Sequence, residues 1–218
     1  MATPTSKTTK SFSGITSHRL EAFCDGVIAI AITLLVLEIK VPTLEHGDAA
    51  SLKLALISKW PLVLATVLSF VAIGTHWLNH RHFLRLLNGI NHGFILITLF
   101  WLLGVCLIPF PTAVLGETML HGDSIYVAAP LYLASLALPS FAWALSWWYA
   151  GKCQLISPAI GDGQRARLGN LFYLSVIVHC FWVGLSFLWP WLALVMGTVQ
   201  VLTYLRPLAL PLIISSHE

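Results

Sequence analysis

Asp25 stands near the start of FCDGVIAIAITLLVLEIKVP, residues 23–42, an otherwise apolar run of helix length that carries only Glu38 and Lys40 as further charges. A carboxylate at that depth is costly unless it holds a cation, relays a proton or is anchored to a donor. Three groups are candidate partners: Arg19, His76 and His80. The histidines are four residues apart, which places both imidazoles on one helix face, the spacing of a zinc-binding HExxH helix. The intervening residues are Trp77, Leu78 and Asn79, so the glutamate that would act as general base is missing. What remains is a structural pair or a proton relay, since histidine titrates near neutral pH. Arg19 lies six residues before Asp25 and does not share its helical face, so the helix that bears the histidines is the easier partner.

Other chemistry is sparse. Cys24, Cys106, Cys153 and Cys180 are scattered without CxxC spacing and read as isolated thiols, with no metal implied. There is no GxSxG elbow, P-loop or dinucleotide fingerprint, so an enzyme is not expected and no cofactor is called for. Glu38, Glu45 and Asp48 form an acidic group at the far end of the Asp25 segment. Acidic rings of that kind concentrate cations at a pore mouth, although ordinary solvated loop charge is the plainer alternative.

These groups need helices to hold them in place. Of the 218 residues, 57% are hydrophobic and 10% charged, with a mean hydropathy of +0.82, values that belong to an integral membrane protein. About 20 apolar residues cross a hydrocarbon layer as a helix. Six stretches qualify, near 22–41, 55–78, 93–114, 124–149, 169–188 and 190–213, after a polar N-terminal segment of residues 1–17. The expectation is an all-α, multi-pass protein with residues 1–218 forming one six-helix membrane domain. Trp189-Pro190-Trp191 is the weakest divider, where two helices could instead be one kinked helix. Tryptophans such as Trp143, Trp147, Trp148, Trp189 and Trp191 gather near helix ends, as in an interfacial belt. Lys7, Lys10, Arg19, Arg81, Arg85, Lys152, Arg165 and Arg167 fall on one side of this arrangement, which predicts that both termini are cytoplasmic in a cell membrane. The net charge of +3 follows from that bias and requires no nucleic-acid partner.

Along the first helix, Phe23, Ile30, Leu34 and Leu37 recur at spacings of seven, four and three, which aligns them on one side, with Thr33 beside them. Periodicity leaves two readings open, helix packing or the lining of a pore.

Arg19-Leu20-Glu21-Ala22-Phe23-Cys24-Asp25-Gly26 resembles the RxxxFSD signature at the start of helix 1 in the transmembrane protein 175 family of potassium channels. The six-helix layout, the histidine-bearing end of helix 2 and IPFPTAVLG, residues 108–116, are similar as well. Cys24 replaces the family serine, a weaker hydrogen-bonding group. The resemblance implies a potassium-preferring cation channel, passive and without a carbonyl filter, built as a homotetramer whose pore is lined by helix 1. It implies that Ile30 forms the narrowest ring, with Leu34 and Leu37 forming further apolar rings and Thr33 adding hydroxyls. On that basis Arg19, Asp25, His76 and His80 are expected to form a polar lock that fixes the rotation of helix 1. The alternative is a proton-permeable or proton-coupled pathway through Asp25 and the two histidines.

Overall fold

A computed structural model describes residues 17–42 and 48–205. The described chain is helical: α1 (Ser17–Leu37), α2 (Ala49–Ser58), α3 (Trp60–Arg85), α4 (His92–Leu107), α5 (Pro109–Thr118), α6 (Ile125–Lys152), α7 (Asp162–Ser186) and α8 (Pro190–Thr203), with a 3-10 turn at Gly122–Ser124 before α6. Polar caps and prolines set the boundaries. Asp48 accepts from the Ser51 amide at 3.0 Å and Asn91 from the Phe94 amide at 2.9 Å, each satisfying an amide of a first helical turn that has no partner within the helix. Pro61, Pro109 and Pro190 stand in the first turns of α3, α5 and α8, where proline's missing N–H costs nothing.

Five helical runs are long and apolar enough to cross a membrane: α1, α3, the joined α4 and α5 (His92–Thr118), the 3-10 turn with α6, and α7. Several boundaries differ from those the hydropathy predicts. The first helix is already formed at Ser17, the first described residue, and ends at Leu37, short of Lys40-Val41-Pro42. The predicted 55–78 segment divides into the short α2 and a 26-residue α3 that runs on to Arg85. Pro61 stands in the first turn of α3, where its missing N–H costs no helical bond, and the break at Lys59 precedes it. Hydropathy loses the polar end of α3 since His80, Arg81, His82 and Arg85 lower the average without opposing the helix. The α7–α8 junction is a true break at Trp189, whose backbone is not helical (φ −133°, ψ 74°). Described α8 has 14 residues, about 21 Å of helix and short of a full crossing. The remainder of the predicted 190–213 segment, from residue 206, lies outside the described residues.

Chain direction alternates, so the N-terminus of α1 and the C-terminal ends of α3, α6 and α8 share one side. Helix α6 is the hub, packing on α4, α5, α7 and α8. Its two internal prolines, Pro130 and Pro139, are both buried and leave the helix unbroken. Helix α1 is attached at the edge: Leu20, Cys24, Ile28, Ala31 and Leu35, spaced by three or four residues, are buried against α3, α4 and α5. Lipid offers no hydrophobic reward for joining apolar helices, so close contacts and buried hydrogen bonds must hold them together. At mid-depth Ser69 of α3 bonds Thr112 of α5 at 2.7 Å and Tyr132 of α6 at 3.1 Å, and at the α2 side Lys59 pairs with Glu117 at 2.9 Å. Backbone bonds from Asn88 to Leu155 and from Ser157 to Leu86 clip the α3–α4 loop to the α6–α7 loop on the opposite side.

At Gly116 two backbones meet. A Cβ there would lie 2.5 Å from the Leu62 Cα, so α3 and α5 can meet only because the residue is glycine. Gly116→Ala is expected to cost about 1–3 kcal/mol through forced separation of the two helices, whereas Gly184→Ala, with nothing within 4 Å of the added carbon, leaves stability unchanged. Thermal unfolding of the detergent-solubilised variants checks this.

Candidate pore face and its anchor

The surface of α1 is divided by its own periodicity. The side facing the bundle is closed by Leu20, Cys24, Ile28, Ala31 and Leu35, and Cys24 is wholly buried there. Phe23, Ile30, Leu34 and Leu37 are left uncovered, with exposures of 52, 60, 41 and 72%. Thr33 is exposed too, but its hydroxyl donates to the Ile30 carbonyl at 2.8 Å, so only its oxygen lone pairs face outward. Arg19 is exposed in the first turn of the helix. Among the described residues nothing covers this apolar strip, which runs along the length of α1.

Asp25 and Glu21 lie on a third side, roughly half a turn away from the strip at about 100° per residue. There they meet α3. The Trp77 indole N–H donates to the Asp25 carboxylate at 2.7 Å, and Arg81 Nε donates to Glu21 at 3.1 Å. The Arg81 guanidinium also lies over the Trp77 ring, 5.6 Å from its centre. Since α1 and α3 run antiparallel, a pair spaced by four on one helix meets a pair spaced by four on the other as two rungs of a ladder. A charge-assisted bond of this kind is short and about twice as strong as a neutral one. The exposed ion pair adds little by itself and serves mainly to bracket the inner rung.

The expected lock of Asp25 on His76 and His80 is therefore corrected: the donor is Trp77. The histidines are set back from Trp77 by one residue and ahead of it by three, which turns both toward α4 and α6. His76 Nδ1 accepts from the Trp143 indole at 3.3 Å, and His80 stacks on Trp101 with ring centres 4.5 Å apart and planes 6° from parallel. Both belong to a buried aromatic assembly with Phe83, Trp143, Trp147 and Phe172. Glu21, Trp77 and Arg81 were not among the residues expected to act. A readable signal was present, in that Glu21–Asp25 and Trp77–Arg81 are matched four-residue pairs on helices that the topology makes antiparallel.

At the other end of α1, Glu38 lies half-buried in the turn after the helix. Glu45 falls outside the described residues. Asp48 is exposed, and its hydrogen bonds to Ser51 hold its carboxyl below the usual carboxylate range. Its first task is to cap α2, and it keeps its negative charge to a lower pH than an uncapped aspartate.

The sequence pattern of the endosomal/lysosomal potassium channel TMEM175 matches residues 19–109, from the α1 anchor to the start of α5. A potassium channel of Streptomyces collinus is 35% identical over 173 residues, spanning 78% of this chain and 82% of that protein. The chain belongs to the TMEM175 family. A potassium channel of Chryseobacterium sp. is 30% identical over 193 residues, 88% of this chain and 94% of its own length. The crystal structure of the lysosomal potassium-selective channel TMEM175 homologue from Chamaesiphon minutus superimposes with a TM-score of 0.77 at 31% identity, covering 86% of this chain and 95% of that one. TMEM175 membership makes the protein a multi-pass membrane channel and not an enzyme, and extends the likeness past α5, where hydropathy alone had suggested it.

Trp77→Phe keeps the ring under Arg81 and removes the proton given to Asp25. Hydrogen bonds to charged groups contribute about 1.5–3 kcal/mol, so the variant should unfold at a lower temperature by that measure. Trp77→Phe should destabilise more than Arg81→Met, which removes the exposed pair; the reverse order in thermal melts would refute the assigned hierarchy.

Proposed function

We propose that this TMEM175-family chain is a passive, potassium-preferring cation channel in which α1 from each of four identical subunits surrounds a central pore. The observation that carries the reading is the uncovered apolar strip of α1, set opposite the polar contacts that bind the helix to its own subunit. Ile30 makes the narrowest ring, Leu34 and Leu37 close the pore one and two turns further along, and Thr33 offers oxygen lone pairs beside them. Apolar rings of that size gate by dewetting: when they are narrow they hold no water, and an ion would have to shed its hydration shell to pass. A small outward movement of α1 readmits water. The larger cation is the cheaper to strip, which favours potassium over sodium. The names of the related bacterial potassium channels support the same choice of ion.

Both termini are assigned to the cytoplasm of a cell-membrane protein, since the shared side of α1, α3 and α6 carries Arg19, Arg81, Arg85 and Lys152. Glu38, repeated by symmetry with Glu45 and Asp48, forms an acidic outer mouth. A proton-coupled pathway finds less support, because Asp25 is engaged with Trp77 and His80 is stacked in the aromatic core, away from the strip.

Flux into liposomes tests the pore. Ile30→Asn places a hydrated group in the constriction, and the potassium-to-sodium flux ratio should fall by about tenfold, equivalent to about 1.4 kcal/mol of lost discrimination. An unchanged ratio and rate would remove Ile30 from the permeation path. The mouth is tested separately by single-channel conductance of Glu38→Gln. At about 10 mM salt, where charges act over about 30 Å, conductance should drop; at about 1 M, where the range is about 3 Å, it should match the parent.

A further inference from the structure

On the side of α3 away from the α1 anchor, the helices α3, α6, α7 and α8 enclose a cavity of about 200 Å³ that no pore function uses. Its walls are largely apolar and aromatic, with Phe83, Trp143 and Phe172 among them. Polar side chains line it as well, among them Asn79 and His82 of α3, His179 of α7 and Gln200 of α8. Two of these have a buried atom with no hydrogen-bond partner among the described residues: Asn79 Oδ1 and His82 Nδ1.

The Asn79 amide is oriented by its surroundings. Asn79 Nδ2 donates to the Tyr204 backbone carbonyl at 3.3 Å, an atom that can only accept, so Oδ1 must be the end left over. Gln200 is engaged otherwise: its amide meets Tyr204 Oη at 2.7 Å and His179 Nδ1 at 3.0 Å, and that nitrogen donates to the Ser175 backbone carbonyl at 2.8 Å. Burying an unpaired carbonyl costs about 1–3 kcal/mol, a loss that a ligand with a proton to donate would recover. A dry apolar cavity of about 150 Å³ already admits a benzene ring.

We propose that this cavity is a binding site for a small neutral aromatic alcohol or N–H heteroaromatic, with its ring against Phe83, Trp143 and Phe172 and its proton donated to Asn79 Oδ1. A metal ion is not the expected occupant: no carboxylate lines the space, and among the described residues no three His, Cys, Asp or Glu side chains are grouped to hold one, although His76, His82 and His179 are in the lining. The site lies within one subunit and is independent of the ion path.

The test uses the full-length protein in nanodiscs and two fluorinated probes of nearly equal size, 4-fluorophenol, which donates a proton, and 4-fluoroanisole, which does not. ¹⁹F NMR titration, with empty nanodiscs subtracted for partitioning into lipid, should show saturable binding of the phenol and binding about tenfold weaker for the anisole, the loss of one buried hydrogen bond. Asn79→Leu, similar in shape but without the carbonyl, should weaken the phenol and leave the anisole unchanged. Absence of saturable phenol binding to the parent protein, or equal affinity for the two probes, overturns the proposal. The probe comparison on the parent protein stands even where the variant does not assemble, and neither readout depends on potassium flux.

Discussion

A pore made of one helix from each subunit requires that helix to keep a single rotation about its own axis. In α1 a rotation of about 140° would bring the half-buried Asp25 where Ile30 now stands, and about 120° the other way would bring the packed Cys24 there. Apolar packing alone is a poor guard against this, because a membrane helix is apolar on every face and lipid competes for each of them. The antiparallel contact of Glu21 and Asp25 with Arg81 and Trp77 supplies the missing specificity. Displacing it would leave a carboxylate in a medium that penalises unpaired charge by several kcal/mol.

The rest of the bundle supports that contact by holding α3 rigid. Ser69, Thr112 and Tyr132 join three helices at mid-depth, Lys59 and Glu117 close one end, and the paired loops clip the other. Between these polar fixings, small residues let backbones approach: Gly116 on Leu62, Gly104 on Pro139 and Gly169 on Trp147. The strip on α1 is the part left without any such partner, and it is the part that the proposed symmetry would fill.

The histidines show how one residue of offset changes a role. His80 and Trp77 are three apart on α3, and the helix turns the first into the aromatic core and the second toward α1. An imidazole stacked on Trp101 and shielded by Trp143 contributes shape, and its place in the core sets it away from the strip.

Much of this architecture was legible in the residues themselves. Long apolar runs specify membrane helices because no other backbone arrangement satisfies its own hydrogen bonds in lipid. The isolated Asp25 announced a polar partner for the same dielectric reason, and the spacing of Phe23, Ile30, Leu34 and Leu37 already placed them on one side of a helix. The helix ends at Pro61 and Pro109 were also present as local chemistry, although averaged hydropathy blurred them. The identity of Asp25's partner was not, because several donors lie on the same turn of α3 and only the angle at which two helices pack selects among them. Which stripe of α1 stays uncovered was likewise undecided, since every face of it is apolar. Both answers came from the tertiary arrangement, because burial depends on what stands opposite a side chain and the sequence records only what stands beside it.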